Sequence, residues 1–421
     1  MSKRIEVDSI LKLPRAATLS ETSLVGEPSL GMHEQQILFT GNWYVARSID
    51  GGATWEGFDP GVYFHENPPA EFCCDQSVFY VPRHDLFVWL LQYAKSDTGN
   101  TLRVAVKRGS MPLNEGQWFI WDLSPTDVDE AWTKEWFDYN HLAATDRHLF
   151  IGSNAFGLGG KKIFRSVVMR ISFDDVLRSI DEGHSLDLSF ITQSDCGTLR
   201  CTLGARDTMY IAGQRDAQSL HVFSWPDDDD DPTVREVPVS EWVGGVGGYS
   251  APGPDDREWM RRADDSITGA WVARGRIGFM WSADRLDERR PFPYVRVAIL
   301  EEETFAVSAE PDIWSENHAY AWADACPNEQ GLVGVTLFRG GGDLYPSHVV
   351  GLLNEETAMW SLAATVNGTS GPDDKKWGDY LTCRAQSPGG SGWVATGYTL
   401  QGGPSIESVE PFAVLFHASS D

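Results

Sequence analysis

The sequence predicts an all-β fold, a seven-bladed β-propeller with four-stranded blades around a central channel. Three observations support this prediction. Helical periodicity is nearly absent, and the best helix candidate is the short segment Phe173 to Asp181. Short runs rich in Val, Ile, Phe, Tyr and Trp recur between turn clusters. An acidic residue also stands before an apolar run at a regular, blade-sized interval.

The short runs behave as strands. Examples are Gln36 to Val45, Leu86 to Gln92 and Leu102 to Lys107, and they are separated by turns such as Asp50-Gly51-Gly52. Four strands of about 5 to 6 residues with their loops fill one interval. An ordinary pair of β-sandwiches remains the alternative architecture.

The acidic residue of the repeat is followed through the chain at intervals of 48, 63, 126, 60 and 55 residues. The long interval halves near Arg200, where the strand pattern is present without the acid, so the repeat has seven units. The six acids are Glu27, Asp75, Asp138, Asp264, Asp324 and Asp379.

The repeat predicts one domain spanning residues 1–421. No blade buries both of its faces alone, so the seven must close into a ring. The expected blades are at about residues 25–60, 73–123, 137–193, 195–239, 257–318, 320–366 and 375–421. Residues 1–13 are expected to close the ring by pairing with the last blade near Phe412 to His417.

The composition describes a folded, acidic protein of 421 residues, 42% hydrophobic and 23% charged. A net charge of −27 would repel a phosphate backbone, which argues against a nucleic-acid partner. No apolar run is long enough for a membrane span, so we expect no membrane insertion. The start, Met1 to Pro14, lacks a signal-peptide core, so we expect a cytoplasmic protein or export by a route the sequence does not display.

The six cysteines are too sparse for a disulfide scaffold, and none lies in a CxxC pair, which gives structural zinc little support. The adjacent pair Cys73-Cys74 is expected to be two reduced, partly buried thiols, with a strained vicinal disulfide as the alternative.

The segment Ser48-Ile49-Asp50-Gly51-Gly52-Ala53-Thr54-Trp55 matches the pattern S-x-D-x-G-x-T-W, the Asp box. With the strings around the other repeats, it resembles the sialidase-like (BNR repeat) β-propellers, including a group of largely uncharacterised microbial proteins. The resemblance implies that this segment is a structural turn between outer strands, away from the catalytic face. The Arg-Ile-Pro motif of sialidases is absent, so the resemblance does not carry over the sialidase active site.

The innermost strands of a propeller run along its channel, so equivalent strand starts converge on one mouth. This places the six acids in a partial ring, with Asp265 as a neighbour. Crowded carboxylates raise one another's pKa or attract a cation such as Ca²⁺. The structural alternative is that each acid caps its own strand.

Chemistry at this mouth would use Asp75 with Asp264 or Asp265 as an acid and base pair, assisted by His141 and Tyr380. Substrate binding is expected from polar residues at the same strand starts, namely Glu27, Asp138, Arg200, Arg262, Asp324, Asp379 and Arg384. The sequence therefore predicts a carbohydrate ligand, with hydrolysis of an acidic sugar as the first candidate activity. A non-catalytic binding or assembly module and a polysaccharide lyase remain open.

Overall fold

The computed structural model describes residues 3–64, 68, 70–159, 164–183, 185–244 and 248–420. These residues form seven separate four-stranded antiparallel sheets. Each sheet is one blade, so the sandwich alternative is wrong and the seven-bladed propeller is confirmed.

The strands follow one another blade by blade. Strand β1 (Lys3–Lys12) precedes blade 1, which contains β2 (Ser29–His33), β3 (Gln36–Gly41), β4 (Tyr44–Ser48) and β5 (Glu56–Phe58). Blade 2 contains β6 (Phe72–Val81), β7 (Leu86–Tyr93), β8 (Leu102–Arg108) and β9 (Phe119–Leu123). Blade 3 contains β10 (Glu135–Ala144), β11 (His148–Gly157), β12 (Phe164–Ser172) and β13 (Ser189–Gln193).

The remaining blades keep the same pattern. Blade 4 contains β14 (Arg200–Cys201), β15 (Thr208–Asp216), β16 (Ser219–Pro226) and β17 (Thr233–Pro238). Blade 5 contains β18 (Ile267–Ala273), β19 (Arg276–Ala283), β20 (Tyr294–Glu301) and β21 (Val307–Ala309). Blade 6 contains β22 (Ala319–Pro327), β23 (Val333–Gly341), β24 (Leu344–Asn354) and β25 (Met359–Val366). Blade 7 contains β26 (Cys383–Ala385), β27 (Gly392–Leu400), β28 (Val409–Ser420) and β1.

Helices are short and lie between strands. They are α1 (Ala16–Leu19), α2 (Pro60–Tyr63), α3 (Pro125–Val128) and α4 (Phe173–Glu182), with 3₁₀ turns at Pro82–His84, Asp287–Arg289, Asp373–Lys375 and Ile406–Ser408. Helix α4 confirms the predicted helix at Phe173. Within the described ranges, no helix has the length and apolarity that a membrane crossing requires.

The first strand of each blade lines the channel. Neighbouring first strands contact each other around the ring, from β2 and β6 onward to β22 and β26. We call the end of the channel at which these strands start the channel mouth.

The core lies between the blades. The seven largest fully buried side chains are tryptophans: Trp89, Trp225, Trp259, Trp271, Trp281, Trp377 and Trp393. The indole of Trp393 on blade 7 donates a hydrogen bond of 2.8 Å to the carbonyl oxygen of Cys326 on blade 6. Each blade therefore depends on its neighbours for burial, as the repeat predicts.

The ring is closed by strands from the two ends of the chain. Strand β1 pairs with β28 in antiparallel register, from Arg4 opposite Ser419 to Lys12 opposite Phe412, with a shift between Val7 and Ser9. The predicted pairing of the N-terminal run with the last blade is confirmed. Because β1 is the outermost strand of blade 7, the first and last segments share one sheet.

Cys73 and Cys74 are joined by a disulfide bond, so the prediction of two reduced thiols is wrong. Adjacent side chains of a regular strand point to opposite faces. The pairing of β6 with β7 is irregular between Phe72 and Gln76, and this irregularity lets the two sulfur atoms meet. The other cysteines, Cys196, Cys201, Cys326 and Cys383, are free and buried.

The turn from Ser48 to Trp55 connects β4 to β5, the outer pair of blade 1. The carboxylate of Asp50 accepts hydrogen bonds from the hydroxyl of Ser48 at 2.8 Å and from the backbone N–H of Thr54 at 2.9 Å. The Thr54 hydroxyl donates a third at 2.6 Å. These bonds, led by those from Thr54, lower the pKa of Asp50 to about 2. Since β4 runs away from the mouth, the turn lies at the opposite end of the blade.

We expect deletion of residues 1–12 to lower the melting temperature by more than about 10 °C, because it removes a whole strand of blade 7. Differential scanning calorimetry of the full and shortened chains measures this. Glu6→Ala, a change to an exposed side chain of the same strand, is the control. An unchanged transition after the deletion would show that the ring does not depend on β1.

We expect Asp50→Ala to lower the melting temperature by a few degrees and to leave binding at the mouth intact, because the turn loses three internal hydrogen bonds. Asp231→Ala, at an exposed position, is the matched control. Thermal melts of both variants with and without ligand measure the two effects. Lost binding at an unchanged melting temperature would contradict a purely structural role for this turn.

Candidate functional site at the channel mouth

The structure gathers five of the six predicted acids at the channel mouth. The charge of Asp379 raises the pKa of each of the other four, so all four lie within electrostatic range of Asp379. The five, which we call the mouth acids, are Glu27, Asp75, Asp138, Asp264 and Asp379. They come from blades 1, 2, 3, 5 and 7 or from the loops that enter them.

Irregular backbone positions these side chains. The register of the first strand shifts between Phe72 and Gln76 in blade 2 and between Asp138 and His141 in blade 3. Glu27 and Tyr139 have φ angles of 44° and 60°, in the left-handed region that non-glycine residues seldom occupy. Bulges and strained residues of this kind collect at functional sites, where they redirect side chains.

Glu27 and Asp75 form a pair of carboxyl groups that are hydrogen-bonded to each other. Their residues are only 4% and 8% exposed, and Glu27 Oε2 is buried without a hydrogen-bond partner. Burial, with the charges of Asp75 and Asp379, holds the pKa of Glu27 well above its usual range. Burial and the charges of Asp138 and Asp379 raise the pKa of Asp75 to about 7. The pair therefore holds a proton near neutral pH.

The other mouth acids have partners of their own. Asp138 accepts a hydrogen bond of 2.9 Å from the amide of Gln92, although burial still raises its pKa. Asp264 accepts one of 2.9 Å from the backbone N–H of Ser266. Asp264 is exposed at the mouth, yet the surrounding blades enclose it enough that burial raises its pKa.

Asp379 pairs with Arg262 in a two-pronged ion pair. Arg262 Nε donates to Asp379 Oδ1 at 2.9 Å, and Nη2 donates to Oδ2. A cavity of about 130 Å³ opens beside this pair. Its lining is Tyr139, Arg262, Asp264, Thr268, Trp322 and Asp379.

Asp324 does not join the mouth acids. Its carboxylate lies 3.4 Å from Arg200 Nη2 and 3.1 Å from Arg384 Nη1, and it accepts a hydrogen bond of 2.9 Å from the N–H of Cys383. All three charged residues are at most 7% exposed. They join blades 4, 6 and 7 across the channel, and Arg200 stands where blade 4 lacks its acid. This cluster links three blades, and both arginines are already paired with a carboxylate.

His141 and Tyr380 are both buried, and each bonds to backbone through one polar atom, while His141 Nδ1 is buried without a hydrogen-bond partner among the described residues. His141 Nε2 accepts a hydrogen bond of 3.2 Å from the N–H of Cys201 on the next blade, and burial keeps its pKa well below the usual value. The hydroxyl of Tyr380 donates to the carbonyl oxygen of Gln76 at 3.1 Å. Asp265 lies next to Asp264 and raises its pKa by charge.

Sequence reasoning did not single out Tyr139 or Thr268, which line the cavity. Tyr139 directly follows the repeat acid Asp138, and its ring lies edge-on to Tyr380 at 6.1 Å between centroids. Its place beside a repeat acid was the available signal. Thr268 carries no comparable signal, because it is one of many threonines within a strand.

No protein-family model matches the chain, and no curated protein matches it. Among solved structures, the chain is similar to the GH93 α-L-arabinofuranosidase of Fusarium graminearum in complex with arabinobiose, at 8% identity over 97% of each chain and a TM-score of 0.44. It is similar to the Trypanosoma rangeli sialidase in complex with 2,3-difluorosialic acid, at 12% identity over 84% of this chain and 57% of that one, with a TM-score of 0.41. It is also similar to a protein of unknown function from Dyadobacter fermentans, at 11% identity over 99% of each chain and a TM-score of 0.45.

At these identities and scores, the similarity carries no argument about activity. The resemblance to sialidase-like propellers is confirmed for the fold, because the chain forms seven four-stranded blades.

The Asp75 carboxyl makes stability depend on pH. Its pKa is about 7 in the folded protein against 3.8 in an unfolded chain, so the folded state binds the proton more tightly and loses stability as the pH rises from about 4 to 7. We compare the unfolding free energy of Asp75→Asn with that of the wild type at each pH. The difference between the two proteins should be roughly 2 to 4 kcal/mol more favourable to the variant at pH 8 than at pH 4.5, because only the wild type loses the proton.

Urea unfolding at both pH values measures this difference, with the exposed Asp231→Asn as control. Parallel pH profiles for wild type and Asp75→Asn would show that the carboxyl is not held protonated.

Proposed function

We propose that this chain is a carbohydrate-binding propeller that hydrolyses a glycosidic bond at the channel mouth. The observation that carries the proposal is the Glu27–Asp75 pair, which holds a proton near neutral pH at the same channel mouth as an exposed carboxylate, Asp264. Glycoside hydrolysis needs one carboxyl group that donates a proton and a second that acts as base or nucleophile.

In the proposed reaction, Asp75 donates its proton to the oxygen of the leaving group. A general acid works best with a pKa near the operating pH, and the value of about 7 for Asp75 meets this condition. Glu27 shares that proton in the resting pair, and after the leaving group departs the pair regains a proton released by the attacking water. The carboxylate of Asp264 activates water or attacks the anomeric carbon.

The cavity suits a small part of a sugar. Its volume of about 130 Å³ is below the roughly 300 to 1,000 Å³ of pockets for larger ligands, so it would hold one sugar ring at most. Tyr139 and Trp322 offer apolar ring surface, and Thr268 and Asp379 offer hydrogen-bond partners for hydroxyl groups.

The charge of the mouth favours a neutral sugar. Arg262 is paired with Asp379, and Arg200 and Arg384 are paired with Asp324, so each predicted sugar-binding arginine already has a carboxylate. An anionic sugar would meet the mouth acids with little compensation. The sequence predicted an acidic sugar, so the experiment below compares glycosides of acidic sugars with those of neutral sugars.

A non-catalytic carbohydrate-binding module is the second candidate. The observation that favours it is that Asp138, Asp264 and Asp379 each have an internal partner, as strand caps would. The lyase alternative is not carried forward, because burial holds the pKa of His141 well below its usual value and the Tyr380 hydroxyl donates to backbone.

We expect Asp75→Asn and Asp264→Asn each to lower turnover of a responsive neutral glycoside at least about 100-fold, because each removes a proton-transfer group. Initial rates on 4-nitrophenyl glycosides of neutral sugars, uronic acids and sialic acid measure this. Asp227→Asn is the matched control. Asp227 is as buried as Asp75, at 8% exposed, but bonds to Thr145 and His148 far from the mouth.

Each outcome separates the candidates. Turnover that survives in Asp75→Asn would contradict its role as acid. Binding of sugars by calorimetry without turnover by the wild type would favour the binding module. Selective turnover of uronides or sialosides would overturn the choice of a neutral sugar.

A further inference from the structure

Blade 4 carries a second cluster of chemically active side chains, separate from the mouth acids. Asp195 and Cys196 lie in the loop that leads into β14, and His221 lies on β16. One ligand atom from each, a carboxylate oxygen, a sulfur and an imidazole nitrogen, lies within 4.8 Å of the other two. Among the described residues, this is the one group of three or more His, Cys, Asp or Glu side chains whose ligand atoms all lie this close together.

The backbone is shaped to bring these atoms together. Gly213 on β15 stands directly opposite His221 on β16. A Cβ atom at Gly213 would lie 3.1 Å from Cys196 Sγ and 2.8 Å from the carbonyl oxygen of Gly197, closer than packing allows. The N–H of Gly197 also donates to the carbonyl oxygen of Gln214 at 2.7 Å, which holds the loop against the sheet. The glycine therefore lets the thiol rest on the strand beside the imidazole.

These three side chains do not take part in the hydrogen bonding of the described residues. Within the described part of the chain, neither the ring of His221, nor the carboxylate of Asp195, nor the thiol of Cys196 bonds to another protein group. Cys196 is 7% exposed and His221 is partly exposed, so the cluster opens to solvent on one side. A buried thiol, a free imidazole and a free carboxylate at this spacing match the donor set of a transition-metal site.

We propose that Asp195, Cys196 and His221 bind one zinc-class divalent cation on blade 4. A thiolate and an imidazole select Zn²⁺ over Ca²⁺ and Mg²⁺, which prefer oxygen ligands. On binding, the S–H bond of Cys196 breaks, the sulfur bonds to the metal and the proton leaves to solvent. Three protein ligands leave a fourth tetrahedral position for water.

This proposal does not depend on the proposed hydrolysis. Sequence reasoning found no structural zinc site because it looked for a CxxC pair. Here the imidazole reaches the other two ligands only because β15 and β16 fold back on one another.

The test is a Co²⁺ titration of the full-length protein without reductant, so that Cys73 and Cys74 stay oxidised. We expect one equivalent of Co²⁺ to produce a near-ultraviolet thiolate-to-cobalt charge-transfer band, and one equivalent of Zn²⁺ to remove it. Cys196→Ser should abolish the band. His221→Ala and Asp195→Asn should weaken Zn²⁺ binding in calorimetry at least about 10-fold, because losing a ligand costs no less than losing a supporting group.

The controls are Cys201→Ser, a buried cysteine of the same blade, and His318→Ala, a partly exposed histidine elsewhere; both should keep the band. Asp195 is exposed, so Asp195→Asn tests the site even where Cys196→Ser destabilises the fold. No charge-transfer band in the wild type, a band that persists in Cys196→Ser, or unchanged affinity in both His221→Ala and Asp195→Asn would overturn the proposal.

Discussion

The pairing of β1 with β28 is the constraint on which the rest of the structure depends. A single blade has two apolar faces, and the indoles that fill the gaps between blades are buried only when every blade has two neighbours. The last gap closes because the two ends of the chain share one sheet. Once the ring is closed, the first strands of all seven blades line the channel, and their starts therefore meet at one mouth. The crowding of acids there follows from closure.

Closure creates an electrostatic problem that the protein resolves in two ways. Some carboxylates are matched with arginine: Asp324 lies between Arg200 and Arg384, and Asp379 pairs with Arg262. Among the residues that the structure describes, Glu27 and Asp75 have no cation in hydrogen-bonding contact. They share a proton instead, because burial makes two adjacent charges more costly than one neutral group. An ion pair of the first kind is structural, whereas a group that titrates near pH 7 is able to exchange a proton with a ligand. The burial that stabilises the ring thus prepares one pair of acids for proton transfer.

The sequence predicted what depends on local pattern and repetition. It predicted the blade-sized interval, the helix at Phe173, the N-terminal closing strand and the meeting of five acids at one mouth. These features were predictable because strand periodicity and repeat spacing depend on the order of residues along the chain. The sequence did not predict partners chosen across the ring. Asp324 reads like the other repeat acids, yet arginines from two other blades reach it. The disulfide between Cys73 and Cys74 depends on a strand irregularity, and the cluster at His221 depends on Gly213 on β15, the strand next to β14.

The argument for chemistry at the mouth rests on broken symmetry. If the repeat acids only capped strands, each would have the same kind of partner, since the blades repeat the same architecture. They do not: Asp264 bonds to a nearby backbone N–H, Asp138 to an amide, Asp379 and Asp324 to guanidinium groups, and Glu27 to Asp75. Glu27 Oε2 is also buried without a hydrogen-bond partner in the described part of the chain, which is a cost to folding. The propeller is built from equal units, yet one pair of acids at the channel mouth differs from the rest, and this difference is what favours a role in chemistry over a role in capping strands.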